Sequence, residues 1–197
     1  MIRNISDDSP TVQALIETLS DKSTARLKAA KQLQLISRDN PSLLYPHFHV
    51  FAKLLDGNSS VLLWNATITL SYLVSVDSNK YFDGILDRYY RHLWDAKLVT
   101  AANILASSGR VAHHRPDLAA RITDELLKVD IIPLPTLECR EVARGHVLAS
   151  LAEYPESWQA NQSAYDFIHR CTLSHRPAVK KRAEGLLNKY FPKGKST

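Results

Sequence analysis

Cysteine and histidine side chains are the first candidates for chemistry in this sequence, because both bind metals and act in nucleophilic catalysis. Cys171 and His175 are four residues apart, which puts them on one face of a helix, and His169 precedes them. Two smaller groups of candidate ligands are His113–His114 and Cys139 with His146. A structural zinc site needs four ligands, and none of these groups supplies them. We therefore predict no metal and no cofactor.

Catalytic motifs are also missing from the sequence. The 6 glycines are scattered, so no glycine-rich loop is available to hold a phosphate. Asp77-Ser78-Asn79, followed by Asp83-Gly84, has the composition of a calcium loop, but its glycine and ligand order are wrong. Asp95 and the pair His113–His114 remain the places where an enzyme site would be sought. We predict no enzyme activity.

Basic residues are the second class of candidate site. The 25 lysines and arginines exceed the 20 acidic residues, so the net charge is +5 and the isoelectric point is about 9.2. Our candidate partner-binding cations are Arg26, Arg140, Arg144, Lys180 and Arg182. A row of such residues would bind phosphates or another acidic partner. The alternative is that they form solvated helix faces, interspersed with Asp and Glu.

Aromatic residues give a third class, because exposed tryptophans often anchor interfaces. Trp64, Trp94 and Trp158 are the candidates. Trp64 lies among apolar residues that predict burial. Trp94 lies beside Asp95 in a predicted turn between two helices, so both residues are included in the candidate site.

The elements that position these residues are helices arranged in a repeat. Small or apolar residues fall at Ala25, Ala29, Leu33 and Ile36, which makes a stripe on one helical face. Similar stripes recur at about 35–43 residues, the spacing of a two-helix repeat. The first helices of the repeats are predicted over 11–19, 42–55, 80–92, 117–129 and 159–173. One hairpin cannot bury its stripe alone, so neighbouring hairpins must stack.

The second helices resemble those of HEAT and armadillo repeats, in which an apolar residue is followed by Arg or Lys, then by small and apolar residues. Two segments match this pattern: Ala25-Arg26 with Ala29, and Val179-Lys180 with Ala183. Asp21 resembles the turn aspartate that pairs with the basic residue in this family. The second repeat departs from the pattern, with Leu63 at the basic position. The resemblance is to a fold and implies no single activity.

The resemblance implies that partners bind along a concave face formed by the second helices. Two enzyme classes share related repeats. Bacterial DNA glycosylases use aromatic residues and an aspartate in the groove, which Trp94-Asp95 resembles, whereas the bilin lyases share only the repeat pattern. A glycosylase-like, nucleic-acid-binding protein is therefore the alternative function.

We thus expect an all-α protein, a right-handed α-solenoid of about five HEAT-like helical hairpins in one domain. The predicted repeats cover residues 9–39, 41–77, 79–115, 116–154 and 157–191, preceded by a loosely held arm and followed by a flexible basic tail over 192–197. The expected function is a non-catalytic scaffold or adaptor that binds a macromolecule, with a protein favoured over nucleic acid. No membrane span is expected, because no run approaches the roughly 20 apolar residues required. The N-terminus has no apolar signal core, so we expect a cytoplasmic protein.

Overall fold

The computed structural model describes residues 11–192, and this part of the chain is helical without a β-strand. The predicted arm up to Ser9 and residues 193–197 of the predicted tail lie outside it. The α-helices of the described part are α1 (Val12–Thr18), α2 (Ala25–Asp39), α3 (Pro41–Leu44), α4 (Phe48–Leu54), α5 (Ser60–Leu73), α6 (Leu86–Arg91), α7 (Leu98–His114), α8 (Ala119–Leu127), α9 (Leu137–Leu151), α10 (Gln162–Cys171) and α11 (Pro177–Tyr190).

Side-chain caps explain where several helices begin. The hydroxyl oxygens of Thr11, Ser59 and Thr136 accept hydrogen bonds from backbone N–H groups three residues further on. The side-chain oxygen of Asn161 does the same for α10. Each cap satisfies one N–H group that the first helical turn leaves unbonded.

The second helices α2, α5, α7, α9 and α11 are continuous, whereas several first helices are broken. The helix predicted over 42–55 divides into α3, a 3₁₀ turn over Tyr45–His47, and α4. Pro46 explains the break, because proline lacks an N–H group and its ring clashes with the preceding helical turn. The helix predicted over 80–92 begins instead as a 3₁₀ segment, Tyr81–Ile85, and becomes α-helical only at Leu86.

The chain divides into two compact units, one ending at Tyr81 and the other beginning at Phe82. In the first unit, α2 packs along α5, α1 packs on α2, and α4 packs on α5. Its core includes Leu33, Phe48 and Leu70. The prediction of a single domain is not decided by this division and stays a prediction.

In the second unit, α9 packs between α7 and α11, while α8 and α10 form a second layer. Its core includes Tyr89, Phe167 and Trp158. The indole N–H of Trp158 donates to the Leu151 carbonyl at 2.7 Å, so this tryptophan is a core residue and not an exposed contact. No helix within residues 11–192 has the length and apolar character needed to cross a bilayer.

Candidate partner-binding surface

The second helices of the second unit run parallel and approach each other closely. A Cβ atom placed on Gly109 of α7 would lie 2.7 Å from the Cα atom of Ser150 on α9, which no side chain tolerates. Four residues further along α7, a ring nitrogen of His113 lies 3.1 Å from the carbonyl oxygen of Glu153. The second contact lies further along the chain on both sides, with Glu153 just after the end of α9. The two helices α7 and α9 are therefore parallel, and Leu137 is level with the beginning of α7.

A groove separates α9 from α11. It contains two adjoining cavities of about 160 and 510 Å³, which share Ala178 and Arg182. The residues of this α9–α11 groove are Val142, Gly145, His146 and Ala152 on or just after α9, and Ala178, Lys181, Arg182, Gly185, Leu186 and Lys189 on α11, with Glu141, Arg176, Val179 and Tyr190 at its margins. Small residues on both helices leave the space open.

Charge is distributed unevenly across the α9–α11 groove. On α11, the Arg182 guanidinium donates to the Gly145 carbonyl at 2.7 Å, and Lys181 forms no ion pair with any described residue. On α9, burial and the neighbouring Arg182 charge lower the pKa of His146, which favours a neutral ring. The α11 wall is therefore cationic, and the α9 wall is mostly small and uncharged.

Arg144, one of the predicted partner-binding cations, is held by carboxylates of the second unit. Its guanidinium donates to Asp130 at 2.7 Å and to Glu141 at 2.5 Å. Burial works against the charge of Arg144, but these two hydrogen bonds outweigh it and raise the pKa of the guanidinium. The carboxylate of Asp130 also pairs with Arg170 at 3.4 Å. The structure thus gives Arg144 a role in joining neighbouring elements.

Two other predicted cations differ in their surroundings. Arg140 on α9 is partly buried, and its Nε atom has no hydrogen-bond partner within the described residues. Lys180 is exposed on α11 but does not line the α9–α11 groove. Its neighbour Lys181 lines the groove, although it was not among the predicted site residues. Successive side chains of a helix point in directions about 100° apart. The sequence pattern alone does not tell which of the two lysines faces the groove, because it does not identify the neighbouring helix.

Trp94 and Asp95 lie in the turn between α6 and α7. The Asp95 carboxylate is 2.7 Å from Nδ1 of His92, so it is held by a local contact. Trp94 is 48% exposed, and the next residue but one, Ala96, has a φ of 57°. Positive φ is costly for alanine, so this turn holds its backbone in a strained conformation.

Arg26 lies in the first unit, where it lines a cavity of about 730 Å³ with Lys53 and the beginning of α5. Asp21, which resembles the family's turn aspartate, accepts a hydrogen bond from the Ser23 backbone N–H at 3.0 Å. That bond is the main cause that lowers the pKa of the Asp21 carboxyl, and the Arg26 charge contributes less.

The predicted metal-ligand candidates are not gathered into a site. Among residues 11–192, no group of three or more Cys, His, Asp or Glu side chains is arranged to hold a metal ion. Cys171 is buried, and burial raises the pKa of its thiol to about 12. His175 instead lies 3.5 Å from the Glu138 carboxylate.

Comparisons with known proteins identify the fold. No protein-family model matches the chain, and no curated protein gives a significant sequence match. Among solved structures, a designed armadillo repeat protein is similar over 91% of this chain and 100% of its own, with a TM-score of 0.51 and 15% sequence identity. The predicted all-α fold and its resemblance to armadillo and HEAT repeats are therefore confirmed at the level of fold.

Proposed function

We propose that this protein is a non-catalytic adaptor that binds a protein partner through its second unit. The observation that carries the proposal is a set of large apolar side chains exposed in or beside the turns of three successive helical hairpins. They are between 48% and 81% exposed. This set, called the turn edge, consists of Trp94 and Val99 (turn α6–α7 and first turn of α7), Ile131 and Leu137 (turn α8–α9 and first residue of α9), and Leu173 (turn α10–α11).

The turns that carry these residues lie at the same end of the second helices of the second unit. Arg176, at the beginning of α11, pairs with Glu138, at the beginning of α9. Since α7 and α9 are parallel, Leu137 is also level with the beginning of α7. Large apolar side chains exposed at the same end of neighbouring helices are a candidate protein interface, in which a few large residues supply most of the affinity.

The charges along the turn edge favour a protein over a nucleic acid. Three arginines near these turns, Arg144, Arg170 and Arg176, are paired with three carboxylates, those of Asp130, Glu138 and Glu141. Phosphate binding requires cations that are available to replace counterions. Cations that are already paired with carboxylates attract phosphates only weakly. The apolar residues of the turn edge would therefore supply most of the binding energy.

The proposal is tested by affinity capture from the native host with matched variants. We expect a protein captured by the wild type to be lost with the Leu137→Ser/Leu173→Ser double variant. It should be retained with Leu43→Ser, which removes an exposed leucine from the first unit. Equal capture by all three proteins would contradict a role for the turn edge. Turnover of a substrate that a groove substitution abolishes would contradict the non-catalytic assignment.

Nucleic-acid binding is the second candidate, and the surface of α11 favours it. This helix has one acidic residue, Glu184, and four basic residues, Lys180, Lys181, Arg182 and Lys189. Titration of fluorescent single- and double-stranded DNA and RNA at two salt concentrations tests this function, because phosphate contacts weaken steeply as salt increases. Salt-sensitive binding that is lost in Arg182→Glu would replace the protein-binding proposal.

A further inference from the structure

We infer that the α9–α11 groove binds an acidic amphipathic segment of a protein partner, with its carboxylates against α11 and its apolar side against α9. The inference deepens the proposed function and rests on it, but it concerns a surface other than the turn edge. The groove has both the space and the charge pattern that such a segment requires.

The space comes from small residues just after the end of α9 and on α11. Ala152, Ala178 and Gly185 leave a cavity of about 510 Å³, which continues past Arg182 into the smaller one. Cavities of this size accommodate several side chains of a bound ligand. A Cβ atom added to Gly185 would meet nothing within 4 Å, so the space beside α11 is open to an incoming side chain.

The positions of the charges in the groove indicate which side of the bound segment faces α11 and which faces α9. Lys181, Arg182 and Lys189 line the α11 side of the larger cavity. The one carboxylate at the margin of the smaller cavity, Glu141, is engaged by Arg144 at 2.5 Å. Glu184 lines a different cavity, on the side of α11 that faces α10. The cations of the α9–α11 groove therefore attract carboxylates, with little opposition from acidic residues.

The opposite wall selects against a nucleic acid. A nucleic acid would need a second row of cations on this wall to contact its other phosphates. The wall is instead small or apolar, formed by Val142, Ala152 and the ring of His146, whose low pKa disfavours a charge. The aromatic ring at the margin, Tyr190, packs edge-on against Trp158 with ring centroids 5.7 Å apart, and Lys189 covers it at 4.8 Å. A base would therefore lack a free ring on which to stack. A segment that is acidic on one side and apolar on the other matches both walls.

The test measures fluorescence anisotropy of labelled probes with the full chain. The probe is a 14-residue helical peptide with Glu on one face and Leu on the other. Its comparison probes are the same composition in scrambled order, the peptide with Lys replacing Glu, and a single-stranded DNA of equal length. We expect the amphipathic acidic peptide to bind about tenfold or more tightly than each of the others, a free-energy difference of at least about 1.4 kcal/mol.

Variants assign the binding to the groove. Gly185→Trp fills the open space from a helical position without a backbone clash, so it should abolish binding. Lys181→Glu should weaken binding about tenfold. Its control is Lys180→Glu, which changes the net charge equally on the same helix outside the groove. Gly84→Trp is the control for Gly185→Trp, because a Cβ atom on Gly84 also meets nothing within 4 Å.

Each outcome supports or overturns the inference. Loss of binding in Gly185→Trp and Lys181→Glu, with both controls like the wild type, supports it. No binding of the acidic peptide at low salt, equal losses in the controls, or tighter binding of the DNA in the same groove overturns it. Capture of a partner that depends on Leu137 and Leu173 tests the adaptor proposal separately, so failure of the groove leaves that proposal standing.

Discussion

At the scale of single residues, Gly109 is the described glycine with the least space for a side chain. Its backbone lies against Ser150 so closely that an added methyl group would be 2.7 Å from Cα and 2.8 Å from the carbonyl oxygen of that residue. Both obstructing atoms belong to the backbone of α9 and cannot rotate away. We expect Gly109→Ala to lower the free energy of unfolding by about 1–3 kcal/mol, the cost of overpacking, as measured by urea denaturation.

Gly185→Ala is the matched control, because this glycine also lies within a helix but has open space beside it. Alanine is the better helix former, so this change should raise the free energy of unfolding by up to about 1 kcal/mol. If the two substitutions had the same effect, the close approach of α7 to α9 would be refuted.

Histidines at the second helices make stability depend on pH. Burial is the main cause that lowers the pKa of His114 and of His146, and positive neighbours contribute. Because the folded pKa lies below the unfolded value of about 6.5, the unfolded chain binds more protons in between. Their contribution to stability is therefore complete above about pH 6.5 and is lost as the pH falls through the folded pKa.

We expect His146→Gln to make the free energy of unfolding less dependent on pH between about pH 8 and about pH 5. Urea denaturation at several pH values measures the slope. The wild-type protein, measured over the same pH range, gives the reference slope. An unchanged slope in His146→Gln would show that this ring stays solvated.

At the scale of elements, the stripes of small and apolar residues predict the second helices well, because these helices pack on one another within each unit, α2 on α5 and α9 between α7 and α11. The first helices are less predictable. Pro46 breaks one of them, and Lys80, with a φ of 55°, precedes another that begins as a 3₁₀ segment. In both cases local backbone geometry prevails over the apolar periodicity. The prediction that basic residues of these helices bind a partner rests on their charge alone. Charge does not show which of them already pair with carboxylates of the same chain.

Arg144 illustrates why the partners matter, because its carboxylate Asp130 lies 14 residues away in a different element. Its other partner, Glu141, has a side chain only 5% exposed. We expect Arg144→Leu to lower the free energy of unfolding by about 2–3 kcal/mol, because it leaves a buried carboxylate without its counter-charge. Thermal and urea unfolding measure the loss.

Two further variants test the ion pair. Glu141→Leu combined with Arg144→Leu should recover much of the lost stability, since both charges are then absent. Arg38→Leu removes an arginine whose pair with Asp39 is exposed, and it should have no measurable effect. If the double variant were less stable than Arg144→Leu alone, the contribution of Arg144 would be packing by its aliphatic stem and not its charge.

At the scale of the whole molecule, the two candidate surfaces belong to the second unit, and that unit has a core of its own. Trp158, Tyr89 and Phe167 are all buried within it. Repeat proteins gain stability from contacts between neighbouring repeats, so a set of stacked hairpins is sufficient to fold. The position of the boundary between Tyr81 and Phe82 does not follow from the repeat pattern, because successive repeats have similar stripes.

We therefore expect a fragment that begins at Phe82 and contains α6–α11 to fold alone and to keep the α9–α11 groove. Circular dichroism should give a helical spectrum with a cooperative thermal transition, and the fragment should bind the acidic amphipathic peptide with the affinity of the full chain. Gly185→Trp should abolish that binding in the fragment as it does in the full chain. A fragment that is unfolded would show that the second unit depends on residues before Phe82. A folded fragment that binds no peptide, beside a full chain that does, would show that the groove needs groups from the first unit, whereas retained binding would assign the whole site to α9 and α11.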